Sequence, residues 1–548
     1  MHKILIMKKL TFILTVGFSV HMLAQKPAKD WYLMDPEQDH INGISVERTY
    51  KELLKNKKSV TVIVGVLDSG VDYFHEDLKD VMWTNSKEIP DNGIDDDKNG
   101  YVDDIHGWNF IGGKDGRNID KDNLELTRLY RKYKAKYENK SEENLKSKEE
   151  KDEFAFYQKL KADYDAELQK AQMNLNQMKN LKDGIDSLVY QIGGIEHFSY
   201  EKLKQYEPET QTTKRAKLIL LSTLSQVEKP EEIDKKKEEI FKQLQEQLKK
   251  GYDYFETQIK YHLNLDFDPR AEIVGDNYED VQEKYYGNND CKGPDSYHGT
   301  HVAGIIGANR NNNIGIKGIA DNVRIMSVRC VPDGDERDKD VANAIIYAVD
   351  NGAQIINMSF GKKYSWNKKA VDDAVKYAEK KGVLLIHAAG NEGLNIDEIT
   401  HYPTKVYENT KKKASNFIDV GALSWQDSLY IVAPFSNYGK KNVDFFSPGV
   451  DIYSTVPEGK YEYASGTSMA APIVSGVAAV LKSYFPDLTA QQIKKILSKT
   501  VRTKYKNKKV IKPNTKDNLI EFSELSKTGG IVNMYDAVKM AMKISKSK

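Results

Sequence analysis

Three short segments carry an aspartate, a histidine and a serine in settings that would let them act together: DSGVDYFHEDL from Asp68, HGTHVAG from His298 and GTSMAAP from Gly466. A serine hydroxyl is a weak nucleophile at neutral pH. An imidazole has to take its proton, and a carboxylate has to hold that imidazole in the right tautomer. Asp68, His298 and Ser468 are candidates for those three parts. The run GTSMAAPIVSGVAAVL reads as a helix start, which puts Ser468 in the first turn. There the dipole and the free backbone N–H groups favour the negative charge of a tetrahedral intermediate. Each segment alone is a modest signal, because DSG is common and HGTH can open an ordinary helix. A different chemistry draws on similar side chains: His298, His301, His75, Glu76 and Asp77 offer ligands for a zinc hydrolase site. HGTH lacks the glutamate and the i, i+4 spacing of the helical zinc motif, so serine chemistry is the favoured reading. On it, His301 and His75 are packed core histidines. A non-catalytic binding protein on the same scaffold is a third reading, against which the complete set of polar residues argues.

These residues need elements to position them. SVTVIVGVLDSG from Ser59 is a continuous apolar run ended by Asp68, as expected for a strand buried on both faces of a parallel sheet. Further strand candidates are VRIMSV from Val323, AQIINMSF from Ala353 and GVLLIHAAGN from Gly382. Helical segments DVANAIIYAVDNG and AVDDAVKYAEKKG separate them, with Gly352 and Gly382 as helix stops. The alternation predicts an α/β fold with a doubly wound, mostly parallel sheet. Such sheets hold their sites at the carboxyl ends of strands, which is where Asp68 falls.

The chain has 548 residues, 82 Lys plus Arg against 81 Asp plus Glu, and a net charge of +1. No global field favours nucleic acid or an acidic membrane. The charged share, 30%, exceeds the usual ~25%, and the surplus is concentrated in one block. From residue 115 to 285 the texture is Lys, Glu, Gln and Tyr, and Leu160, Tyr164, Leu168, Ala171 and Leu175 recur at helical spacing. A second such run follows Pro230, and breaks are expected near Gly193 and Pro208. We therefore expect an inserted α-helical arm at 115–285, between catalytic-domain parts at 25–114 and 286–548. Residues 1–24 have basic Lys3, Lys8 and Lys9 before an apolar run from Leu10 to Ala24, the pattern of a signal peptide and too short for a membrane span. Export to the periplasm or the extracellular space is expected, with no membrane span. Cys291 and Cys330 are the two cysteines, and their pairing stays open. DNGIDDDKNGYVDD from Asp91 sets Asp95, Asp97 and Asn99 at loop positions 1, 3 and 5 with Gly100 at 6, like the first half of an EF-type calcium loop. Position 12 is His106, so Tyr101 and Asp103, or Asp104, would have to complete the shell.

Taken together and in order, the three segments resemble the Asp, His and Ser signatures of the subtilisin-like serine proteases, over about residues 31 to 113 and 286 to 548. The resemblance implies an endopeptidase acting on extended protein or peptide substrates through an acyl-enzyme, with Asp68, His298 and Ser468 as triad. AAGNEG is similar to the family's oxyanion motif and implies Asn391 as side-chain donor, with Ala388, Ala389 and Gly390 beside the substrate. NMSFG resembles the substrate-binding strand and implies that Ser359, Phe360 and Gly361 pair with the peptide. Tyr402 and Pro403 resemble a family Tyr-Pro pair preceded in subtilisin by glycine; here His401 stands there and would make the pocket floor shallower and more polar. A protonated His401 accepting an acidic side chain at low pH is a further expectation. The family's tight calcium site is resembled by Asp77 with Asn312 and the carbonyls of Ile314 and Ile316. No organic cofactor is expected, and structural calcium is. Too few residues precede Asp68 for the prodomain many subtilases carry. The arm, entering between the catalytic aspartate and histidine, is expected near the active-site rim as a gate or docking arm for a partner, a regulatory cover or a spacer.

Overall fold

A computed structural model describes residues 26–224 and 230–546; the expected signal peptide lies outside the described residues. Two compact units are present: residues 147–264, and residues 27–146 together with 265–548.

The larger unit is built on a seven-stranded sheet. β1 (Val62–Asp68), β2 (Gly107–Asn109), β3 (Val323–Arg329), β4 (Ile355–Met358), β5 (Leu384–Ala388), β6 (Phe417–Leu423) and β7 (Phe445–Pro448) lie in the order β2-β3-β1-β4-β5-β6-β7. Every pairing within it is parallel. The apolar run at Ser59 becomes an interior strand because both its faces have partners. Val62, Val64 and Val66 join the core that holds the helix Thr467–Tyr484, while Leu67 joins the core holding Asp338–Asp350 and Lys368–Lys381. Gly382 ends the last of these helices in the left-handed region, φ +77°, where a side chain would be strained. Because β3 and β4 flank β1, the carboxyl ends of β1, β4 and β5 open side by side.

The smaller unit is helical. A 44-residue helix, Lys148–Gln191, starts at a capping box made by Ser147 and Glu150 and packs against Gln211–Leu224 and Lys237–Thr257. Leu160, Tyr164 and Ala171 of the anticipated stripe are buried, and Leu168 and Leu175 are half-buried. The first break falls where expected, at Gly193 just past the helix end, and Pro208 lies between Tyr200–Gln205 and Gln211–Leu224. One core of this unit gathers Ile185, Leu188, Leu220, Phe241 and Leu244.

The boundaries of this unit are narrower than the 115–285 expected. Residues 115–146 and 265–285 pack in the larger unit, held there by buried ion pairs. Glu125 Oε2 meets Arg128 Nη2 at 3.1 Å and Lys362 Nζ at 2.6 Å. Arg337 Nε meets Asp122 Oδ2 at 2.8 Å, and Arg270 Nη1 meets Asp340 Oδ2 at 2.7 Å. These charges are internal. Cys291 and Cys330 are both buried and unpaired. Among the described residues, no helix is long and apolar enough to cross a membrane.

Candidate active site

Asp68 ends β1, is almost fully buried, and accepts a hydrogen bond through Oδ1 from the Ser69 N–H at 2.8 Å. The same Oδ1 stands 2.7 Å from Nδ1 of His298, which therefore carries the proton on that nitrogen and leaves Nε2 as the base. His298 lies in the first turn of the helix Tyr297–Gly307. A side chain at Gly299 would come 2.1 Å from the Gly70 carbonyl oxygen, so glycine is what lets this turn approach the strand end. Burial works against protonating His298, but the Asp68 charge and hydrogen bond outweigh it and raise its pKa above the ordinary 6.5.

Ser468 is the second residue of the helix Thr467–Tyr484, and its hydroxyl donates to the Ser359 carbonyl at 3.0 Å. Among the described residues it makes no hydrogen bond to His298, in keeping with the loose geometry common without substrate. Two contacts absent from the motif reading fix this helix. Ser475 donates to Asn357 Oδ1 at 2.9 Å, tying it to β4, and Thr467 donates from both N and Oγ1 to Asn391 Oδ1, at 2.8 and 3.0 Å. With its oxygen so occupied, the exposed Asn391 presents Nδ2 as its free donor. Gly390 N donates to Thr467 Oγ1 at 3.1 Å, and Asn437 Nδ2 donates to the Ala389 carbonyl at 2.9 Å. Thr467, Ser475 and Asn437 carry no signal of their own in the sequence.

His301 and His75 are packed. His301 Nε2 donates to the Glu462 carbonyl at 3.1 Å, and burial pushes its pKa down to about 4. His75 Nε2 stands 3.1 Å from the Lys460 carbonyl. These contacts leave neither ring directed at a shared metal position with His298.

His401 turns inward. Lys362 and Tyr402 exchange backbone hydrogen bonds of 2.9 and 2.8 Å, which brings the imidazole against Gly361. A Cβ on Gly361 would lie 2.1 Å from His401 Nε2, and one on Gly390 would lie 2.8 Å from its Cε1. The expectation of a protonated His401 is corrected here: burial, then the neighbouring His387, push its pKa down to about 4, so the ring is neutral over the ordinary working range.

The two regions expected to hold calcium differ in what they offer. Buried Asp77 accepts from Asn312 Nδ2 at 2.7 Å, Ile316 N at 3.0 Å and the Tyr461 hydroxyl at 3.2 Å. In the acidic loop, carboxylate oxygens of Glu88, Asp95 and Asp97 come within 4.8 Å of one another. Asp103 instead accepts from the backbone of Asn92 and Gly93, at 3.2 and 2.9 Å, and Asn99 Oδ1 accepts from Tyr101 N at 2.8 Å. Glu88, outside the EF-like spacing, was missed because it reaches the cluster through the chain's fold.

The Subtilase family profile matches residues 59–520. This chain belongs to the subtilase family. It is similar to the thermophilic serine proteinase of Bacillus sp. (strain AK1), 46% identical over 187 residues that make up 34% of this chain and 42% of that protein. Subtilisin DY of Bacillus licheniformis is 37% identical, over 37% of this chain and 69% of its own length. Thermitase of Thermoactinomyces vulgaris is 38% identical, over 38% and 72%. The chain thus spans about two-fifths of the first relative's length and about seven-tenths of the other two.

Proposed function

We propose that this subtilase is an exported serine endopeptidase that cleaves extended protein segments through an acyl-enzyme. The observation that carries the reading is the 2.7 Å contact between Asp68 Oδ1 and His298 Nδ1, in a chain whose Ser468, in a helix's first turn, bonds to the Ser359 that lines the same cavity as His298. In the reaction His298 Nε2 takes the Ser468 proton as Oγ attacks the scissile carbonyl. Asn391 Nδ2 and the Ser468 N–H receive the oxyanion. The imidazolium then protonates the leaving amine, and water repeats the sequence on the ester. Covalent labelling by a fluorophosphonate tests the nucleophile: the adduct is expected on Ser468, and labelling elsewhere or not at all would end the assignment. On this reading residues 147–264 are an insertion between the triad's aspartate and histidine, and a docking or gating arm is the role we assign it.

Calcium would be held by Asp77, the Asn312 side chain and the Ile314 and Ile316 carbonyls, and by Glu88, Asp95 and Asp97. Hard oxygen donors suit that ion. Its part is structural, since binding to the native state alone stabilises by mass action, about 2.7 kcal/mol at a hundredfold excess over Kd. The melting temperature is therefore expected to rise by several degrees between chelator and millimolar calcium, and Asp77→Ala to reduce that rise. Identical melting curves in both buffers would remove both sites.

For the side chain preceding the cleaved bond, the neutral imidazole of His401 beside Gly361 and Gly390 favours small residues. Overfilling a packed pocket costs about 1–3 kcal/mol, roughly tenfold to over a hundredfold in selectivity. His401→Gly should gain by that factor on Phe and Tyr substrates relative to Ala. A peptide library cleaved with the same preferences by both proteins would refute the role of His401.

A further inference from the structure

The two stems of the helical unit, residues 115–146 and 265–285, belong to the larger unit, and polar side chains tie them to each other and to the segment that ends at Gly361. Arg131 of the entry stem donates to the Leu265 and Phe267 carbonyls of the exit stem at 3.1 and 3.0 Å. From Asp268 beside them a line of alternating charge runs inward. Arg337 Nη2 meets Asp268 Oδ1 at 3.0 Å, and its Nε meets Asp122 Oδ2 at 2.8 Å. Asp122 Oδ2 stands 3.4 Å from Arg128 Nη1, and Arg128 Nη2 stands 3.1 Å from Glu125 Oε2. The same Glu125 oxygen meets Lys362 Nζ at 2.6 Å, with both side chains 1% exposed or less. Burial opposes the charge on Glu125, but Arg128 and Lys362 outweigh it and hold its pKa down to about 2.

Lys362 follows Gly361 directly in the chain. Its ammonium has three protons to donate, and Glu125, Asp338 Oδ1 at 2.7 Å and the Glu336 carbonyl at 2.6 Å receive them. Its backbone exchanges hydrogen bonds with Tyr402. The other end of the segment is held separately: Ser359 Oγ donates to the Ser468 carbonyl and accepts from Asn357 Nδ2, both at 2.9 Å. On the peptidase reading, Ser359, Phe360 and Gly361 pair with the main chain of an extended substrate. Hydrogen bonds weaken steeply as their angles close, so a shift at Gly361 costs that pairing while Ser359 stays tied to Ser468. We propose that Glu125, carried by the entry stem, is a positioning residue of the peptidase: through Lys362 it fixes the Gly361 end of the substrate-pairing segment, so that the root of the inserted unit keeps extended substrates in register. The inference rests on the peptidase reading above.

The test compares the unaltered full chain with Glu125→Gln, which keeps the side chain's shape and an acceptor oxygen but removes its charge. Two substrates are used: an extended peptide cleaved near its centre, and p-nitrophenyl acetate, whose acetyl group has no main chain to pair with Gly361. On the peptide kcat/KM is expected to fall about tenfold to a hundredfold, chiefly through KM, since a misplacement of about 1 Å can cost about a hundredfold. Turnover of the acetate should stay within about twofold, because the triad is untouched. Glu125→Asp keeps the charge on a shorter side chain and should show a smaller loss, again on the peptide alone; it is read in place of the glutamine variant if that chain does not fold. Equal losses on both substrates, or an undiminished rate on the peptide, overturn the positioning role. An unaltered chain that cleaves neither substrate overturns the peptidase reading, and the positioning role with it, so the two failures are told apart.

Discussion

On a peptide amide, Ser468→Ala is expected to turn over about a million-fold more slowly than the unaltered chain, a magnitude that comes from subtilisin itself. The substitution removes one oxygen and one hydrogen bond, that to the Ser359 carbonyl. The fold should therefore lose no more than about 1.5 kcal/mol, and an unchanged melting profile separates lost chemistry from lost structure. His298→Ala should be as severe, because nucleophile and base act as a unit. His301→Ala should instead act mainly on stability, since that ring is buried and donates to the Glu462 carbonyl. Reversal of the two histidines' effects would mean that the wrong one had been assigned. The pH dependence follows from the same geometry. His298 accepts a proton only when neutral, and Asp68 holds its pKa above 6.5 against the opposing effect of burial. Activity should fall with acid about a midpoint above 6.5, and Asp68→Asn should shift the residual activity's midpoint downward. A midpoint below 6.5 in the unaltered chain would contradict the Asp68–His298 coupling.

Replacing Asn391 by Ala should lower kcat by roughly a hundred- to a thousandfold with KM little altered, again a cost known from subtilisin. Asn391 Oδ1 is taken by two donors of Thr467, so the amide cannot flip without losing both bonds, and Nδ2 stays aimed outward. Its hydrogen bond forms only once the carbonyl oxygen has become an oxyanion, and so acts on the transition state. Thr467→Val, which removes one of the two holding bonds, should cost a smaller share of kcat. If Asn391→Ala raised KM and spared kcat, the amide would be a substrate-binding group and the oxyanion assignment would fail.

Local chemistry was the legible part. An apolar run closed by Asp68 reads as a buried parallel strand because nothing else satisfies so continuous a stretch, and β1 is that strand. Ser468 reads as a first-turn residue because GTS before an apolar helix is a start signal, and the helix begins at Thr467. Composition misled where it could not distinguish a charge in water from a charge in a pair. Glu125, Arg128 and Arg270 fall within the block expected as a helical arm, yet each is buried in the larger unit against residues 335–362 or their neighbours.

By itself, the sequence determined the family, the sheet type and the residues able to carry the reaction, because these depend on short-range order: apolar periodicity, helix starts and side-chain chemistry within a motif. Tertiary structure alone decided what depends on residues distant in the chain. It turned His401 inward through its neighbour's pairing with Lys362, gathered Glu88 with Asp95 and Asp97, locked Asn391 with Thr467, and joined Glu125 to Lys362 beside Gly361. The physical reason is that orientation, desolvation and charge balance are properties of the neighbours a side chain meets, and those neighbours exist only once the chain has folded.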